Sequence, residues 1–170
     1  MSRGNDKQLR CGPSNRRGAA LVETAISITL LLLLLMGILE FGILYGNYLS
    51  LAEVARDACR SASLGSSTSV VRSRITEAAT ALGMNMTYPI TSYLEYRTYD
   101  KAGGTWSGWG TLGDSGSHNN APVSSSVDSQ VRVRLVYTYV AITGTFLSSV
   151  FGEDGNVRLS GTAVMRREET

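Results

Sequence analysis

The residues that decide the fold are Arg16-Arg17-Gly18-Ala19-Ala20-Leu21-Val22-Glu23, followed without a break by Thr24 to Leu39 and then Glu40-Phe41-Gly42. Thr24 to Leu39 holds 16 residues with no charge, built on Leu30–Leu35. As a helix rising about 1.5 Å per residue it covers roughly 24 Å, short of a hydrocarbon core of about 30 Å. Counting from Ala19, with Glu23 included, gives 21 residues and about 31 Å, enough to cross. A second uncharged stretch runs from Phe41 to Ala52, and no proline falls between Ala19 and Ala62. One helix of about 66 Å is therefore permitted, its lower half suited to lipid and its upper half to water.

Charge sets a direction for this helix. Residues 1–18 carry Arg3, Lys7, Arg10, Arg16 and Arg17 against Asp6. Positive charge before an apolar span favours a cytoplasmic N-terminus, which places residues 63–170 beyond the membrane. The whole chain of 170 residues has 16 Lys and Arg against 14 Asp and Glu, so the basic balance belongs to the first 18 residues and the rest is mildly acidic. A nucleic-acid partner, which needs a basic face, is not expected. With 43% hydrophobic and 18% charged residues the chain is not disordered by composition, and 3 prolines and 2 cysteines exclude a Pro-rich stalk or a disulfide scaffold. A conventional signal peptide wants a shorter apolar region and a small-x-small site after it. A lipoprotein reading of Cys11 fails because Lys7-Gln8-Leu9-Arg10 precedes it.

Gly18-Ala19-Ala20-Leu21-Val22-Glu23 is the most specific feature: Arg16-Arg17 stand just before the Gly, and the Glu follows it by five residues. The arrangement resembles the class III leader site of type IV prepilins, where a prepilin peptidase cuts after the Gly. The resemblance implies a processing site at Gly18 and Ala19, loss of a basic cytoplasmic leader 1–18, and Glu23 as mature position five. A carboxylate within lipid costs about 2.5 kcal/mol or more. A new α-amino group at Ala19, on the same chain or a neighbour's, offers it a partner, and the helix N-terminus favours an acid there. Such a pair would set the axial register of subunits sharing a bundle. The plain alternative is a flanking charge that snorkels to the cytoplasmic interface.

Ala20-Leu21-Val22-Glu23, the Leu run and Gly37-Ile38-Leu39-Glu40-Phe41-Gly42 are similar to the N-terminal region of TadE-like proteins, the minor pseudopilins of tight-adherence (type IVc, Flp-type) pilus systems. Similarity extends over 16–62 and, more weakly, over 128–168, where two strands flank a short apolar turn and Ala163-Val164-Met165-Arg166-Arg167-Glu168 follows. TadG-like relatives share the N-terminal pattern but carry a much larger outer region, so this length favours the TadE type. The resemblance implies a single-pass protein of the bacterial inner membrane that helps build or initiate an adhesion pilus, without enzymatic activity or cofactor. Its implied partners are prepilin peptidase, other pilins and pseudopilins, the inner-membrane assembly platform and membrane lipid. The rival from another class is a membrane-anchored adhesin or ligand-binding domain that never polymerises.

Above Glu40 the apolar positions Phe41, Leu44, Tyr48, Leu51, Ala55, Ala58 and Ala62 form a stripe that narrows toward its end, where a sheet can approach closely. Glu53–Arg56 and Asp57–Arg60 have the spacing of weak ion pairs. Gly42 and Gly46 make a small-xxx-small pattern that admits a neighbouring helix, and together they suggest a flexible zone between lipid and head. Glu40 marks the outer boundary, solvated at the interface or facing a neighbouring pilin. Cys59 is expected as a small buried residue.

The outer region reads as an α+β head. A linker at Gly65–Ser69 leads to a short helix capped by Thr68 or Ser69, with Val71, Ile75, Ala78, Ala79 and Leu82 on one face and Gly83 as its stop. Strands are expected over about 91–99, over Val131–Tyr139 with strict alternation, and over Val157–Met165, with one or two helical turns at Thr145–Phe151. The fold expected is thus a long pilin-like transmembrane helix, 19–62, and a small head, 63–170, of a short helix and an antiparallel sheet. Trp106 and Trp109, in a Gly-rich loop, are either a sugar-stacking or partner-binding surface or hydrophobic plugs of a hairpin. Glu153-Asp154 and Asp128 are scattered in turn-like contexts, and no catalytic set, phosphate loop or metal spacing stands out.

Overall fold

The computed structural model describes residues 14–84, 90–122, 124, 126–140 and 156–167. Helix α1 runs Ser14–Ser63, 50 residues, as the absence of proline allows. The chain divides into two compact units, Met1–Leu39 and Glu40–Thr170. In the first, the side chains of residues 18–36 are exposed, Leu30 to Leu35 included. A helix so apolar with nothing packed on it is suited to lipid, and the stretch Gly18–Ser63 is long and apolar enough to cross a membrane. Its two threonine hydroxyls are satisfied locally: Thr24 donates to the Ala20 carbonyl and Thr29 to that of Ala25, each at 2.8 Å.

The second unit is an α+β head. After α1 come α2 (Thr68–Ala81), β1 (Thr91–Asp100), β2 (Thr105–Trp106), β3 (Gly110–Thr111), β4 (Asp114–Ser115), β5 (His118–Asn119), β6 (Val127–Val140) and β7 (Asn156–Arg166). The main sheet is antiparallel with order β2-β1-β6-β7, and β3 also pairs with β1 beside β2. β4 and β5 form a separate ribbon. Along β6 the odd positions Val131, Val133, Leu135, Tyr137 and Tyr139 are buried, as their alternation with Arg132 and Arg134 predicts. Leu94, Leu159 and Ala163 join them from β1 and β7, and α1 and α2 supply Leu51, Val54, Ala55, Ala58, Ala62, Val71, Ile75 and Ala79 to the same core.

Within this unit α1 runs antiparallel to β6. Its Glu40 meets Tyr139, and its Cys59 thiol meets the Val131 carbonyl at 3.4 Å. The 19 helical steps from 40 to 59 amount to about 28 Å, and the eight strand steps from 139 to 131 to about 27 Å, so helix and strand stay in step. Gly161 of β7 lies close against Leu51: a Cβ at 161 would lie 2.9 Å from the Leu51 carbonyl oxygen.

The inward stripe of α1 differs from the expected one at its lower end. Leu51, Ala55, Ala58 and Ala62 are buried and Leu44 is half-buried, but Phe41 and Tyr48 are exposed. Glu40 and Asn47 take the inward positions one residue earlier. An apolar-only pattern misses this seam because its lower end is polar. Neither Glu53–Arg56 nor Asp57–Arg60 closes as an ion pair among the described residues.

The expected linker is an ordered corner. Gly65, at φ +91°, closes α1: its N–H donates to Ala62 and the Ser66 N–H to Ser61. Asn119 of β5 seals the end, its Nδ2 donating to the Ala62 carbonyl at 2.7 Å and to that of Ser66 at 3.0 Å. The Arg167 guanidinium donates to the Asn119 side-chain oxygen, bringing a cation to the negative end of the helix. At the start of α2 the N-cap is Ser67, whose side chain makes no cap bond, rather than Thr68 or Ser69. Asp114 of β4 caps it from a distance, accepting from the Thr68 N–H at 2.6 Å and the Thr68 hydroxyl at 2.8 Å. Gly83 ends α2 as expected, at φ +70°, while Leu82 is exposed. The expected turns at Thr145–Phe151, Cys11 and Glu153-Asp154 lie outside the described residues.

Candidate functional site

The junction Gly18-Ala19 lies inside α1, four residues past its start at Ser14. Space around Gly18 is open, with no atom within 4 Å of an added Cβ. The helix as it stands has no acid in its first turn. If the chain began at Ala19, Glu23 would stand one turn from the new N-terminus, where a carboxylate offsets both the helix dipole and an α-ammonium group. Glu23 is exposed, and among the described residues it makes no hydrogen bond or ion pair.

Glu40 is solved differently. It is 4% exposed, and the Tyr139 hydroxyl donates to its Oε1 at 2.6 Å. It is therefore neither solvated at an interface nor turned outward to a neighbour; it fastens the lower end of the head helix to the end of β6. The Tyr139 hydroxyl is pushed well above the ordinary tyrosine range, first by burial and then by the hydrogen bond to Glu40. Nothing in the strand pattern distinguishes Tyr139 from Tyr137 beside it, so sequence reasoning missed this partner.

Gly42 and Gly46 are exposed, with nothing within 4 Å of a Cβ at either position. Phe41, Ile43, Tyr45, Tyr48 and Leu49 around them are exposed as well. The helix continues through both glycines, from Ser14 to Ser63.

Trp106 and Trp109 sit on the strands and turn of the β2–β3 segment, over the face of the sheet that turns away from the helices. The odd residues of β1 and the even residues of β6 meet there: Tyr93 opposite Arg134, Glu95 opposite Arg132, Arg97 opposite Gln130 and Tyr99 opposite Asp128. Arg97 places its guanidinium carbon 4.5 Å from the Trp106 ring centre and 4.7 Å from that of Trp109, and Arg132 lies 4.1 Å from Trp109. Tyr99 leans on Trp106 at 5.0 Å, and Arg134 lies 4.6 Å from Tyr93. Trp106 remains 40% exposed, while Trp109 is half-buried. Contacts of this kind at exposed sites are worth about 0.5–1 kcal/mol each. Arg97 also donates to the Gln130 side-chain oxygen at 2.7 and 2.9 Å, and Arg132 pairs with Glu95 at 2.6 Å. Asp128 pairs with Arg166 and Lys101, and the Arg166 hydrogen bond holds its carboxyl below the usual range. The alternation of β1 and β6 signalled this face, but the return of the Trp segment onto it was not legible.

Cys59 is fully buried, and burial pushes its thiol up to about 11. It is a core residue and a poor nucleophile.

The most specific part of the chain is the apolar helix with its acid at 23 and its return to a packed head at 40. Residues 18–60 match the family of TadE-like proteins. The match opens at Gly18 itself and closes near the end of α1, so the TadE-like segment is the apolar span together with the head helix; the weaker similarity over 128–168 lies outside it. The match supports involvement in the tight-adherence pilus system, and the one helix among the described residues that is long and apolar enough to cross a membrane fits a single-pass membrane protein. Neither a curated protein nor a solved structure matches the chain.

Proposed function

We propose that this chain is a minor pseudopilin of a tight-adherence pilus, inserted in the inner membrane with its basic N-terminus in the cytoplasm and trimmed after Gly18 by a prepilin peptidase. The observation that carries this reading is Glu23, an exposed carboxylate with no partner among the described residues, near the start of an apolar helix in the TadE-like segment. Held in lipid alone it costs about 2.5 kcal/mol or more. An amine created at Ala19, on this chain or the next one in a growing fibre, neutralises it and fixes the axial step between subunits. The exposed row Phe41, Tyr45 and Tyr48 beside Gly42 and Gly46 then lies against helices of other pilins, where small residues permit close approach. The role is assembly or initiation of the fibre and surface adhesion through it, without catalysis.

The test is Glu23→Gln in the pilus-bearing cell. Expected is normal membrane insertion and normal head folding with fibres lost or sharply reduced in number. Unchanged fibres would contradict the pairing and leave a membrane-anchored, unpolymerised adhesin as the better reading.

A further inference from the structure

The outward face of the sheet holds the chain's only 2 tryptophans, together with Tyr93 and Tyr99 and three arginines that lie over their rings. This grouping is not accounted for by folding, since the core is on the opposite face. Nor is it accounted for by assembly through α1. Along β1 the row from Tyr93 to Tyr99 spans about 20 Å at about 3.3 Å per residue, so it can engage several units of a linear ligand.

Charge indicates the ligand's sign. Arg97, Lys101, Arg132, Arg134 and Arg166 stand on or beside this face against Glu95 and Asp128. Glu95 is taken by Arg132, and Asp128 by Lys101 and Arg166. Arg97 and Arg134 have no carboxylate in salt-bridge range among the described residues; they meet a neutral amide and aromatic rings. Arg134, lying on the Tyr93 ring, presents the edge of its fork to a carboxylate, whereas Arg97 gives Nε and Nη2 to the Gln130 oxygen and offers its other amino group. The geometry points to an acidic polysaccharide as the occupant: pyranose rings laid on Trp106 and Trp109, with uronate carboxylates on Arg97 and Arg134. A nucleic acid asks for a denser basic field, because it carries a phosphate at every step, and here five cations face two carboxylates, a surplus of three, in a chain of net charge +2. This site is independent of leader processing, so its success or failure leaves the pseudopilin reading where it stands.

Because both tryptophans lie on the face, intrinsic fluorescence reports the site directly. The full chain in detergent micelles is titrated with an oligogalacturonate, a neutral malto-oligosaccharide of equal length, and an oligothymidylate. Expected is a saturable change in tryptophan emission with the oligogalacturonate alone, weakened severalfold by added salt. Arg134→Gln should weaken it about tenfold, and Trp106→Ala should abolish it while the far-ultraviolet circular dichroism stays unchanged. If Trp106→Ala does not fold, Arg134→Gln decides, since its side chain meets only Tyr93 among the ring contacts. No response to the oligogalacturonate, equal response to the neutral sugar, tighter binding of oligothymidylate, or an unaffected Arg134→Gln would each overturn the assignment.

Discussion

Glu23 and Glu40 bracket the apolar run, and the molecule treats them in opposite ways. Glu40 is buried and accepts from the Tyr139 hydroxyl; Glu23 is exposed with no donor among the described residues. Removing that donor should therefore leave a buried acid one hydrogen bond short. Tyr139→Phe is expected to cost about 1.5–3 kcal/mol, the range for a hydrogen bond to a charged group, and Glu40→Gln less, because the amide still accepts. Chemical denaturation of the two variants in one detergent checks the order. Tyr139 and Cys59 both have raised pKa values in the fold, the thiol to about 11. A raised acid group is protonated when folded at a pH where the unfolded chain has already lost the proton. Its stabilising share is thus complete below the unfolded value and is lost as pH rises through the folded one. Stability should fall above roughly pH 9 to 10, with a shallower fall in Tyr139→Phe, measurable by melting at stepped alkaline pH. Thiol titration gives a further check: 2 cysteines are encoded, and Cys59 is shielded. The trimmed chain should show no reactive thiol when folded and a single one in denaturant, Cys11 having gone with the leader.

At the scale of elements, the long helix was legible because proline is absent and the apolar run is unbroken, and β6 was legible because its odd positions are apolar without exception from Val131 to Leu135. The seam of the helix against the sheet was not, because Glu40 and Asn47 occupy it where an apolar pattern looks for Phe41 and Tyr48. The caps were missed for a similar reason: Asp114 and Asn119 come from a ribbon far along the chain, and local cap rules see only neighbours. Two substitutions separate packing inside the head from packing outside it. Gly161→Val places side-chain atoms against the Leu51 carbonyl and should destabilise the head by about 1–3 kcal/mol, read as a lowered melting temperature. Gly46→Leu meets open space in this chain and removes a poor helix former, so the isolated protein should melt no lower, while electron microscopy of the cells should show fewer fibres. Normal piliation in Gly46→Leu would remove this helix face from the assembly surface.

At the scale of the whole molecule, an apolar, TadE-like helix is combined with an α+β head whose core and outward face have separate duties. The core is made by alternation and helix periodicity, which sequence patterns convey well. The outward aromatic and arginine face is made by the return of a Gly-rich segment over β1 and β6, which no local pattern conveys. The proposed function requires the first 18 residues to be temporary, since only their removal gives Glu23 an amine. The most direct test is the N-terminal sequence of the protein purified from membranes of cells with and without the prepilin peptidase. The account predicts Ala19 as the first residue when the peptidase is present and the uncut chain when it is absent; a chain beginning at Met1 or Ser2 in both would contradict it.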